Sequence, residues 1–138
     1  MSNKIYPIGI QNFEKIRKGG YCYIDKTAWI YQMVKTGSYY FLSRPRRFGK
    51  SLLLSTLEAY FQGKKKLFEG LAIEKLEKDW FKYPILHIDL NTEKYDTPER
   101  LENKLNRTLV EWEKIYGADQ RSGRICEKSY IQFWIFLF

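Results

Sequence analysis

Residues 39–56 read YYFLSRPRRFGKSLLLST. An aromatic and apolar run leads into a basic turn that ends in Gly49-Lys50-Ser51, and Leu52, Leu53, Leu54, Leu57, Tyr60 and Phe61 then recur at helical spacing. The pattern predicts a short strand over residues 39–43, a turn and a helix, which is the setting a phosphate-binding P-loop requires. Where a helix begins, backbone N–H groups have no partner inside the helix, and the helix dipole adds partial positive charge at the same spot. Each residue type has its own task there. Gly49 lets the backbone approach a phosphate with no β-carbon in the way. Lys50 would reach the β and γ phosphates, and the Ser51 hydroxyl would sit on the Mg²⁺ that bridges them. The usual spacing G-x-x-x-x-G-K-[ST] places a first glycine where this sequence has Arg44. On the residues alone, the competing reading is an ordinary strand, turn and helix with a solvated basic turn.

The run Ser43-Arg44-Pro45-Arg46-Arg47-Phe48-Gly49-Lys50-Ser51 resembles the P-loop of the AAA-ATPase-like family of bacterial proteins, which use an R-P-R-R-F-G-K-S form. The resemblance extends upstream to Pro7-Ile8-Gly9-Ile10, to Phe13 and Ile16, and to Tyr23-Ile24-Asp25-Lys26-Thr27. Downstream it takes in Leu67-Phe68-Glu69-Gly70-Leu71 and residues 83–90, and it covers most of the chain up to about Tyr116. It implies that Arg44 is the family's own variant. It also implies ATP and Mg²⁺ as cofactors, ATP hydrolysis as the family activity, and a nucleotide site formed by Arg44, Pro45, Arg46, Arg47, Phe48, Gly49, Lys50, Ser51 and Leu52, with Ser51 on the metal. In the family, a second hydrophobic strand ends in Walker B acids that hold Mg²⁺ and position water, and a nuclease-like domain of the PD-(D/E)XK type commonly follows. Here the residues after Gly117 read ADQRSGRICEKSYIQFWIFLF, with no acidic pair after an apolar run.

The length of 138 residues suits one domain with a modest core. A content of 44% hydrophobic and 17% aromatic residues argues for a folded chain rather than a disordered one. Lysine and arginine number 24 against 16 acids, a net charge of +8 that suits anionic partners such as nucleotide or nucleic acid. Cys22 and Cys126 are too few for a disulfide framework and read as reduced thiols, and His87 has no second histidine with which to share a metal. The N-terminus MSNKIYPIG lacks a signal peptide's apolar segment, and the longest apolar run falls short of the roughly 20 residues that span a bilayer. A cytoplasmic protein without membrane contact is the expectation.

Along the chain, Asn12 is placed to cap a helix over residues 13–18 that Gly19-Gly20 stops. A brief strand over 21–24 follows, and Asp25 is placed to cap a helix over 26–36 with Trp29, Ile30, Met33 and Val34 as its apolar face. Tyr23 and Ile24 are the candidates for an adenine pocket. Lys64, Lys65 and Lys66 form a basic turn, and residues 73–83 read as a helix presenting Leu76, Trp80 and Tyr83. Pro84 opens a strand over 85–90 with apolar residues on both faces, as in an inner parallel strand, and Asp89 lies near its carboxyl end. Thr97-Pro98-Glu99 is a helix start, after which Leu101, Leu105, Leu109, Trp112 and Tyr116 read as core packing and Gly117 as the C-cap. Residues 118–129 read as loop. Residues 130–138, YIQFWIFLF, are rich in aromatic and β-branched types and predict a strand that docks on the sheet without supplying an acid.

The order of elements gives an α/β fold: a truncated P-loop NTPase core with a mainly parallel sheet flanked by helices. Residues 1–117 are the N-terminal part of an AAA-ATPase-like P-loop domain and 118–138 a divergent C-terminal tail. The leading function is ATP binding with little or no hydrolysis. The alternatives are a nucleic-acid-binding module, in which Arg44, Arg46, Arg47 and Lys64 to Lys66 contact phosphates while aromatics stack on bases, and an interaction protein with a vestigial nucleotide site. Fewer strands in the sheet also predict self-association.

Overall fold

The computed structural model describes residues 5–37, 39–90, 94, 96–116 and 134–137. Helices α1 (Phe13–Lys18), α2 (Thr27–Thr36), α3 (Lys50–Phe61) and α4 (Ala72–Leu76), with a 3-10 turn at Lys65–Phe68, belong to a first compact unit ending at Ile85. A second unit holds β1 (Leu86–Asp89), α5 (Pro98–Tyr116) and β2 (Trp134–Leu137).

Local chemistry explains the first unit. Asn12 Oδ1 accepts from Lys15 N–H at 3.0 Å and starts α1, and Gly20 at φ +66° turns the chain away after it. Phe13 and Ile16 on α1 are fully buried; α1 packs on α3, and α2 on α4. Phe68 sits at the centre of the core. Its ring lies 4.9 Å from Phe13 and 5.1 Å from Trp80 between centroids, with Tyr60 edge-on at 6.5 Å. Arg17 extends over the same turn and donates from Nε to the Leu67 carbonyl at 2.8 Å and from Nη2 to the Glu69 carbonyl at 2.5 Å. Asp25, expected to cap α2, stands one residue before the N-cap Lys26, which makes no side-chain cap bond; its carboxylate still accepts from Thr27 N–H at 2.8 Å, where the helix begins.

The expected parallel-sheet P-loop core is not formed. Among the described residues the sheet consists of β1 and β2 alone, paired in parallel with Leu86 opposite Trp134 and Asp89 opposite Leu137, in an otherwise helical chain. Residues 39–43 form no strand and lie exposed, Tyr39 at 91% and Phe41 at 86%. The reason is that a strand's backbone groups need a neighbouring ladder, which no described segment offers them. Residues 21–24 likewise form no strand, although Cys22 N–H donates to the Ile5 carbonyl at 2.9 Å. β1 also differs from an inner strand: Ile88 is buried while His87 and Asp89 are exposed, the alternation of a strand covered on one face. β2 falls within the predicted strand over 130–138, of which 130–133 and 138 lie outside the described residues.

Three helix expectations also change. The helix expected over 73–83 stops at Leu76, because Glu77 turns extended and Tyr83 N–H donates to the Phe61 carbonyl at 2.8 Å. Trp29 on α2 is exposed rather than packed. α5 begins at Pro98 as expected, yet none of its residues is buried; Leu101, Leu105 and Trp112 are half-buried, and Leu109 and Tyr116 exposed. The proposed cap Gly117, the loop over 118–129 and Cys126 lie outside the described residues.

Candidate functional site

Residues 44–49 run exposed over the surface into the first turn of α3. The chain turns at Arg46 and Arg47, and Arg47 adopts φ +68°, a left-handed conformation uncommon for a residue with a β-carbon. Gly49 follows at φ +80° and ψ 15° as the N-cap of α3, and its carbonyl accepts the first helical bond from Leu53 N–H at 2.9 Å. A β-carbon at Gly49 would meet nothing within 4 Å, so the backbone angle, not crowding, requires glycine here. Turns through left-handed residues are the local geometry from which anion-binding concavities are built.

No side chain caps α3. The N–H groups of Lys50, Ser51 and Leu52 precede the first helical bond and have no partner inside the helix. Lys50 and Leu52 are half-buried and Ser51 is exposed, while Arg44, Pro45, Arg46, Arg47 and Phe48 are exposed. Among the described residues none of Arg44, Arg46, Arg47 and Lys50 enters an ion pair. Neighbouring cations without carboxylates raise the local potential, and an anion bound among them would lower it. The sequence-predicted residues Arg44 to Leu52 are therefore contiguous in space as one loop and one helix end.

The other candidates separate from this site. Tyr23 is half-buried with its ring edge-on to Phe13 at 5.2 Å, and burial pushes its phenol above the usual range; Ile24 is exposed. Lys64 is paired with Glu14 at 2.8 Å, while Lys65 and Lys66 are exposed. Asp89 belongs to the second unit. No group of three or more His, Cys, Asp or Glu that could hold a metal ion occurs among the described residues. Nor is any described helix long and apolar enough to cross a membrane.

Sequence reasoning missed a polar cluster at the far end of α3. Glu77, with a side chain only 5% exposed, accepts a short hydrogen bond from the Tyr60 hydroxyl, pairs with Lys35 Nζ at 3.1 Å and accepts from Asp79 N–H at 3.4 Å. Burial alone would push this carboxyl up, but the Tyr60 hydroxyl and the Lys35 ammonium outweigh burial and hold it below the usual range. Burial, with the adjacent carboxylate, pushes the Tyr60 phenol well up. The signal lay in the spacing: Glu77 follows Ile73 by one helical turn, so a charge stood on the apolar face of the expected helix. Mid-helix, Ser55 Oγ accepts from Phe13 N–H at 3.0 Å and ties α3 to the start of α1.

The AAA-ATPase-like family model, described as "Predicted AAA-ATPase", matches residues 7–135, and the chain belongs to this family. It is 44% identical over 128 residues to an uncharacterized protein in the vnfD 5' region of Azotobacter chroococcum mcd 1. That alignment covers 90% of this chain and 25% of the relative, so the chain spans about a quarter of that relative's length. No solved structure matches.

Proposed function

We propose that the chain binds ATP with Mg²⁺ through residues Arg44 to Leu52. One observation carries this reading: the uncapped N-terminus of α3, entered through left-handed Gly49, adjoins arginines that lack carboxylate partners among the described residues. Membership of the AAA-ATPase-like family supports it. The N–H groups of Lys50, Ser51 and Leu52 would donate to phosphate oxygens, Lys50 would reach the β and γ phosphates, and Arg46 and Arg47 would add charge from the loop. The Ser51 hydroxyl would ligate Mg²⁺, which keeps water and phosphate oxygens as further ligands. Bound there, the metal would neutralise charge on the phosphates. Hydrolysis needs an acid to position metal and water, and residues 118–138 offer no acidic pair after an apolar strand. The expected property of residues 1–138 is ATP binding with little or no hydrolysis.

Calorimetry with Mg-ATP tests the reading. Lys50→Ala removes a charge-assisted contact of about 1.5–3 kcal/mol and is expected to weaken binding roughly ten- to a hundredfold. Equal affinity in the variant and the parent would end the assignment. The exposed aromatics Tyr39, Phe41 and Phe48 beside Arg44, Arg46 and Arg47 favour a second reading, stacking and backbone contact with single-stranded nucleic acid. Its affinity would fall steeply with salt, whereas Mg-ATP binding would depend chiefly on Lys50. The same aromatics make self-association at high concentration an expected property, to be read by sedimentation.

A further inference from the structure

A buried carboxylate is a costly way to hold helices together, since apolar side chains of similar volume often give equal or greater stability. Glu77 nevertheless occupies such a position, and it gathers Lys35 from α2, Tyr60 from α3 and the backbone of Asp79. What a carboxylate supplies and a leucine does not is fixed distance and direction to each partner. Tyr60 stands one residue from the end of α3, and the helix opens with Lys50 and Ser51 directly after Gly49. The two ends are about 15 Å apart at helical rise, so Glu77 is too far away to touch a ligand at Lys50. A helix is stiff, however, and a tilt of about 5° about Ser55 swings the Lys50 end by roughly 0.7 Å. Displacements of this size matter at sites built on directed hydrogen bonds.

We infer that Glu77 is a positioning residue for the phosphate-binding end of α3: with Tyr60 and Lys35 it fixes the far end of the helix and thereby the placement of Gly49, Lys50 and Ser51. Ser55, bonded to the Phe13 N–H, serves as the pivot between the two ends. The inference rests on the phosphate-binding reading of residues 44–52. No atom of the cluster meets the ligand, and its effect passes only through the helix.

The test measures the Mg-ATP dissociation constant of the 138-residue chain by calorimetry. The temperature is one at which near-UV circular dichroism shows each variant folded. Glu77→Leu and Tyr60→Phe are each expected to weaken binding roughly three- to thirtyfold. Glu77→Gln, which keeps an oxygen for the Tyr60 hydroxyl, is expected to recover most of the loss. In a Lys50→Ala background the same changes should cost less than in the parent, because one of the contacts they align has gone while those of Ser51 and the backbone N–H groups remain. A merely structural Glu77 would lower the melting temperature and leave the dissociation constant unchanged, and that result overturns the inference while Lys50→Ala still reports on the site. Loss that adds fully to Lys50→Ala overturns it too. Should Glu77→Leu fail to fold, Tyr60→Phe decides alone. A parent chain that binds no ATP overturns the inference together with the reading beneath it.

Discussion

Arg47 holds φ +68° at the tip of an exposed turn, and for a residue with a β-carbon that conformation costs about 1 kcal/mol. Because its side chain is exposed, backbone conformation dominates what a replacement does to stability. Arg47→Gly is therefore expected to melt above Arg47→Ala, the strain relieved exceeding the extra freedom that glycine gains when unfolded. Differential scanning calorimetry of the two variants checks this, and a higher melting temperature for alanine would contradict the left-handed turn. Glu14 makes a second residue-scale prediction. Hydrogen bonds from Lys18 at 2.6 Å and Lys64 at 2.8 Å hold its carboxyl at about 2, against an ordinary value of 4.5. A folded-state value below the unfolded one means stability that is present above pH 4.5 and lost as pH falls toward 2. Glu77 is also held low despite burial, as is Asp25, whose burial is outweighed by bonds from Thr27 and Ala72, so both act in the same direction. The melting temperature should fall on acidification below pH 4.5, and Glu14→Gln should flatten part of that slope. Equal slopes in parent and variant would remove the Glu14 pairs from the account.

At the scale of elements, α4 is far too short to persist alone, so its existence depends on what holds its first turn. Asp25 Oδ2 accepts from Ala72 N–H at 2.7 Å and Thr27 Oγ1 accepts from Ile73 N–H at 3.1 Å, so two side chains at the start of α2 cap α4. Asp25→Ala is expected to destabilise the chain by about 1–2 kcal/mol, and Asp25→Asn by less. Urea unfolding of both variants measures it; an unchanged midpoint for alanine would show that α4 has other support. The same elements show what could be read from sequence. Asn12 before α1 accepts from an N–H three residues on, and Pro98 opens α5 with its backbone angle already fixed for a helix, so both starts were legible from local chemistry. The end of α4 was not, because Glu77 turns toward Tyr60 and Lys35, seventeen and forty-two positions away. The run 39–43 has the composition of a strand, but strand formation is decided by a partner that composition does not name.

The whole molecule divides between Ile85 and Leu86, inside the stretch that reads as one strand, where no residue marks a boundary. The candidate site was legible because Arg44 to Leu52 is a continuous run whose chemistry lies in its own backbone and side chains. The division was not, because burial depends on contacts between distant segments. Apart from Ile88, every buried apolar residue among those described belongs to the first unit, from Phe13 to Ile73. α5 contributes none, and a helix without a buried face draws little stability from tertiary packing. A segment of residues 1–85 thus carries its own core and is expected to fold by itself, with a cooperative thermal transition and a near-UV signal from the packed ring of Trp80. Phe68, wholly buried against Phe13, Tyr60 and Trp80, is the side chain on which that core turns. Phe68→Ala should cost about 3–5 kcal/mol, which in a unit this small lowers the melting temperature by more than about 10 °C or abolishes the transition. Both measurements can be made on the 1–85 segment. A broad, non-cooperative melt with a flat near-UV spectrum would show that the first unit requires the second, and a Phe68→Ala segment melting with its parent would move the centre of the core elsewhere.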